Sequence, residues 1–151
     1  MWSLALHTLA ASLLLVQCPP SDAALGAAPS DFGVTQSATR ARILSAAATT
    51  YSVNETTLPG GTVIREYVAR GGNVFAVSWN GPFMPDLRTL LGRHFDTLTS
   101  ETAKSPKAGH NQVHIVRPEV VIVSGGHMRA YAGRAWIESD FPPGITAVDI
   151  D

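Results

Sequence analysis

A change of hydrophobic period near the middle of the chain constrains its fold more than any other feature. From Tyr51 to Trp79 the chain reads as three short strand-like runs, the first of them alternating over Tyr51 to Leu58, and two glycine-rich breaks separate them. Tyr51 and Val53 share one face of the first run, which ends at Leu58. Leu58-Pro59-Gly60-Gly61 follows, with proline presetting φ at the second position and Gly60 free to take φ > 0 at the third, a type II turn. Thr62 to Ala69 is the return strand, and Arg70-Gly71-Gly72-Asn73 is a second tight turn in which Gly71-Gly72 suits a primed hairpin. Val74 to Trp79 is the third strand, with Phe75, Val77 and Trp79 expected on one face. Connections this short join only antiparallel neighbours, so these three strands form a meander.

After Asn80-Gly81-Pro82 the period lengthens. Pro85 and Asp86 stand where a helix begins, and Leu87, Leu90, Leu91, Phe95 and Leu98 recur at helical spacing. Gly92 inside this stripe costs about 1 kcal/mol against alanine, which points to close packing on the sheet. The stripe fades after Ser100, and Ser105 to Asn111 reads as a polar loop. Val113 to Val123 is a long apolar run broken at Pro118, which has no N–H to give a ladder. Ser124-Gly125-Gly126-His127 reads as the next turn, and Met128 to Ile137 as a returning strand with a bulge at Gly133. Upstream, Ile43, Leu44 and Ala47 predict a short helix within Thr35 to Ala48. The class is α+β: an antiparallel sheet of five to six strands (meander, helix, then hairpin), packed by one main amphipathic helix, plus the short N-terminal helix.

The first 23 residues read as an address. Trp2 to Val16 is apolar and uncharged but shorter than the roughly 20 residues a permanent span needs. Pro19-Pro20 ends the stretch, and Ser21-Asp22-Ala23 supplies small residues at the two positions a signal peptidase reads. Cleavage is expected after Ala23, with Ala24 as the alternative, leaving residues 24–34 as a flexible arm and 35–151 as one globular domain without a transmembrane span. Leu15-Val16-Gln17-Cys18 resembles a lipobox except at Gln17, where a small residue belongs, so lipid anchoring at Cys18 is not expected. The chain has one cysteine, 11 basic and 12 acidic residues. That excludes a disulfide framework, a thiolate metal cluster and the basic footprint of a nucleic-acid binder.

Little in the sequence carries chemistry. His110 and His114 have zinc-like spacing, but on a strand they stand about 13 Å apart, too far to share an ion. His94 falls on the rim of the helix stripe as a packed residue. His127, at an expected hairpin tip, is the weak candidate for a general acid or base. No nucleophile elbow, zinc motif or phosphate-binding loop accompanies it, and no cofactor or metal is expected. Arg65-Glu66 and the stretch from Arg129 to Arg134 read as solvated strand faces. Trp79-Asn80-Gly81-Pro82-Phe83-Met84-Pro85 is dense in aromatic and conformationally special residues, which makes Trp79 and Phe83 the binding candidates.

Several stretches together resemble a known family. They are ALG at Ala24–Gly26, GGTVIREYV at Gly60–Val68, VFAVSWNGPFMPDLRTLLGRHF at Val74–Phe95, RPEVVIVSGGHM at Arg117–Met128 and GRAW at Gly133–Trp136. The chain is similar to the bacterial secreted family of domain of unknown function 2844. The resemblance implies export in a Gram-negative bacterium and brings no activity, cofactor or catalytic residue. The leading expectation is a non-enzymatic periplasmic or secreted binding domain for a protein or small-molecule partner of the envelope. The alternatives are a hydrolase-like envelope enzyme using His127 and a structural accessory of a cell-surface assembly.

Overall fold

The computed structural model describes residues 25–32, 38–44, 49–104 and 112–151. In chain order the strands are β1 (Ala38–Leu44), β2 (Thr49–Thr57), β3 (Val63–Ala69) and β4 (Val74–Gly81). The helices α1 (Leu87–Leu91) and α2 (Phe95–Lys104) follow, then β5 (Gln112–Arg117), β6 (Val120–His127) and β7 (Ala130–Trp136). Every pairing is antiparallel, and the strands make one sheet in the order β1-β2-β3-β4-β7-β6-β5. The expected α+β architecture is therefore present, with the second hairpin unit docked on β4 through its last strand.

The strand count exceeds expectation because Ala38–Leu44, read as part of a short helix, pairs with β2 along its whole length. Three apolar residues at helical spacing are a weak signal for so short a helix, whose nucleation is costly. The free edge of β2 offers a complete ladder instead. Residues 35–37 and 45–48 of that reading lie outside the described residues, as do the expected signal and the polar loop at 105–111.

Both turns of the meander use the same device, and it differs from the expected types. Gly61 N–H donates to Leu58 O at 2.8 Å, and Gly61, not Gly60, takes positive φ (86°). Gly72 N–H likewise donates to Ala69 O at 2.9 Å with φ 88°. Each is a tight turn closed by a glycine in the left-handed region, the second most common way to close a hairpin. A register shift between Tyr67 and Val68 inserts Phe75 as an extra residue of β4. Phe75 consequently leaves the face expected for it. It packs with Tyr51, Tyr67 and Trp136, while Val77 and Trp79 stay on the opposite face with Ile64 and Leu90.

The sheet is covered on both sides, which is why the first six residues of β4 are all buried. On one face lies the helical segment 87–104. Asp86 caps it by accepting from the N–H groups of Arg88 and Thr89. Gly92, at φ 51°, breaks the segment into α1, one 3-10 turn and α2. Residues 25–32, within the stretch read as an arm, pack on this same face. Leu25 is 1% exposed, and backbone bonds tie Leu25 to Leu90 and Gly26 and Ala27 to Val74. On the other face lies the tail from Glu138 to Asp151, which seats Ile145 and Ile150 against an aromatic cluster of Tyr51, Tyr67, Phe75 and Phe141.

The last hairpin also departs from the expected reading. β6 continues through Ser124-Gly125-Gly126 to His127, and the turn falls at Met128-Arg129, with Arg129 at φ 67°. Gly133 is in regular register and forms no bulge.

Candidate functional site

The corner from Trp79 to Pro85 is held by Thr62 at the start of the meander's second strand. Its hydroxyl donates to Phe83 O at 2.7 Å and accepts from Phe83 N–H at 3.3 Å. Gly81 lets this happen, because a Cβ there would stand 2.6 Å from Thr62 Oγ1 and 2.8 Å from its Cβ. The two binding candidates of the corner part company. Trp79 is 2% exposed and lies over Gly133 of β7, where a Cβ would collide with the indole. Its Nε1 has no hydrogen-bond partner among the described residues. Phe83 is 57% exposed and rests on Gly60 of the first turn.

The pairing of Gly81 with Tyr131 and of His127 with Ala130 puts the corner and the last hairpin at the same end of the sheet. Both His127 and Met128 are exposed there. Ser124, the nearest hydroxyl in sequence, is buried and stands an odd number of residues from His127 on β6, so the two side chains leave opposite faces. They do not form a catalytic pair. His114 is exposed on β5, and His110 lies outside the described residues. His94 is buried, as expected for a packed residue; burial and the neighbouring Arg93, whose Nε donates to its Nε2 at 3.2 Å, hold its pKa down. Among the described residues no group of three or more His, Cys, Asp or Glu could hold a metal ion.

Two residues read together as a solvated strand face prove not to be equivalent. Glu66 is 1% exposed on the helix-covered face. Its Oε1 accepts the Ser30 N–H at 2.8 Å, and burial raises its pKa, partly offset by the Ser30 bonds. Arg65 points to the tail side. There the register aligns Glu55, Arg65, Ser78, Arg134 and Val123 in one row across β2, β3, β4, β7 and β6. The two arginines thus flank Ser78 on successive strands of the sheet.

This row lines a cleft of about 440 Å³. Val63, Val123, Ala132 and Ile150 supply apolar surface, and Asn80 and Asp151 stand with Ser78 and the two arginines as its polar groups. The size lies within the range that takes a small organic ligand. Arg65 Nε donates to Glu55 Oε2 at 2.9 Å. Arg134 Nη1 donates to Ile150 O at 3.0 Å and Ala147 O at 3.3 Å, and its guanidinium lies 5.6 Å from the Trp136 ring. Ser78 Oγ donates to Asp151 O at 2.6 Å, and the Tyr67 hydroxyl donates to the Asp151 carboxylate at 2.9 Å. Tail and sheet therefore build one wall of the cleft together. The signal that could have found it is parity: residues 65, 78 and 134 share a face only once the register of three strands is known.

A family model described as "Protein of unknown function (DUF2844)" matches residues 21–150. The chain belongs to the DUF2844 family. No curated protein and no solved structure matches it. In this DUF2844 protein the matched span takes in every described strand and helix, the corner and the row of the cleft up to Ile150. The family-like stretches also meet in space: Thr62 of the second clamps Phe83 of the third, and Trp79 of the third covers Gly133 of the last. Among its described residues no helix is long and apolar enough to cross a membrane.

Proposed function

We propose that this DUF2844 protein is an exported binding domain that takes a small ligand in the tail-side cleft. The observation that carries the reading is the row Arg65–Ser78–Arg134. It sets two guanidiniums beside apolar surface in a cleft of ligand size, on a rigid sheet rather than on a loop. Export rests on the apolar stretch from Trp2 to Val16 and the small residues before Ala24. Leu25, directly after the expected cut at Ala23 or Ala24, is buried in the core, so the body would keep this residue after cleavage. Phe83 and Met84, exposed at the same sheet end, offer an accessory apolar contact, with Trp79 supporting the corner from within.

The test is the mass of the protein recovered from a bacterial envelope, native and denatured, beside the variant Ala132→Phe. Ala132 is exposed in the cleft, so a benzyl group there fills it without entering the core. The expected result is a denatured mass that begins at Ala24 and a native mass with a retained ligand that Ala132→Phe loses. A retained mass untouched by Ala132→Phe overturns the cleft, and a mass that still contains residues 1–23 overturns export.

A second reading, an accessory that adds a partner's strand to its sheet, has one supporting observation. β5 ends the strand order, and its ladder with β6 is regular, with no lysine, proline or bulge to blunt the edge. A partner seated there would slow hydrogen exchange in β5 alone. The hydrolase reading gains no such support, because His127 stands exposed at a hairpin tip, leaves the face opposite to Ser124 and is not among the residues that line the cleft.

A further inference from the structure

Resting on the cleft reading, we infer that the ligand is a monoanionic carboxylate on a compact apolar body, held between Arg65 and Arg134. Each guanidinium has spent one part of its donor set and kept a two-donor edge. Arg65 uses Nε on Glu55, and its two terminal nitrogens donate to no described residue. Arg134 uses Nη1 on two main-chain carbonyls, and its Nε and Nη2 donate to no described residue. A planar fork of two N–H groups is the geometry that a carboxylate meets with two parallel bonds.

Charge narrows the class further. Among the described residues Arg134 has no ion-pair partner; it is half-buried on neutral carbonyls and an aromatic ring. A carboxylate within the cleft would compensate it where water screens less. Glu55 and Asp151 already stand beside the two arginines, which favours a single negative charge over a dianion such as a phosphate monoester. The Ser78 hydroxyl already donates its hydrogen bond to Asp151 O, so anion recognition falls to the two forks. The apolar body would lie on Val63, Ala132 and Val123.

Octanoate, 1-octanol and octyl phosphate are the probes, titrated calorimetrically into the purified protein, Ala132→Phe, Arg65→Gln and Arg134→Gln. Octanoate is expected to bind at one site about tenfold or more tighter than 1-octanol, and to lose about tenfold with either arginine variant while 1-octanol is unchanged. Arg134→Gln also loosens the tail, so Arg65→Gln, whose side chain anchors no backbone, carries the decision; unfolding curves confirm that it folds. Equal binding of octanoate and 1-octanol, both abolished by Ala132→Phe, would leave the cleft standing and overturn the carboxylate. Preference for octyl phosphate over octanoate would overturn the monoanion. No difference between the wild type and Ala132→Phe with any probe would overturn cleft and carboxylate together.

Discussion

Replacing Gly133 with alanine tests the packing that joins the two halves of the sheet. Its backbone is outside the positive-φ region, so alanine can adopt the conformation and the cost is steric. The added Cβ would stand 2.6 Å from Trp79 Cε2 and 2.9 Å from Cη2, and closer still to Cζ2, where ordinary contact begins at 3.4 Å. The indole would have to retreat by about 1 Å into an interior packed at crystal-like density. Trp79 is 2% exposed and shares its cluster with Leu90, Leu91 and Ile122, so the retreat presses on packed core side chains. Overpacking of this kind costs about 1–3 kcal/mol. The stiffer unfolded chain returns about 0.4–1 kcal/mol.

The net expectation is a loss of about 1–2 kcal/mol with an unchanged dependence on urea, read from equilibrium unfolding by tryptophan fluorescence and circular dichroism. In a Trp79→Phe background the smaller ring relieves the collision, so Gly133→Ala should cost about 1 kcal/mol less there. If Gly133→Ala is as stable as the wild type, or if the two substitutions are additive, the indole does not rest on Gly133 and the account of the corner fails.

Two further substitutions test the helix-covered face. Burial raises the pKa of Glu66 above 4.5, so the stability linked to its protonation is fully present below about pH 4.5 and is lost as pH rises through the folded value. Glu66→Gln, which keeps an acceptor for the Ser30 N–H, should match the wild type at pH 4 and exceed it at pH 8 in urea midpoint; equal midpoints at both would refute a buried carboxylate. Asp86→Ala removes the cap of α1 and should cost about 1 kcal/mol near neutral pH. The Thr89 hydroxyl, first among its bonds, lowers the Asp86 pKa below 3.8, so the stability it adds is present above that value and fades as pH falls through the folded pKa. The gap between wild type and variant should therefore close in acid, and a constant gap would count against the cap.

The amino-acid sequence by itself determined what depends on neighbours along the chain. The strand-like runs from Tyr51 to Trp79, the two glycine-closed turns and the leucine stripe after Asp86 specify strands, hairpins and helix, because these follow from side chains a few residues apart. Even locally some choices went the other way. Phe75 changed face through a bulge, and Ala38–Leu44 took the free edge of β2, since a neighbouring strand outweighs a short helical signal. Only the tertiary structure decided that β7 pairs with β4, and with that pairing came everything proposed to bind. It put Gly133 beneath Trp79, carried Arg134 to Ser78 and opposite Arg65, and let the tail close the wall of the cleft. It also turned Glu66 inward while its neighbour Arg65 faced the cleft. The physical reason is that a strand pattern states only which residues share a face. Which strand lies beside it, and in what register, is settled by burial of both faces at once.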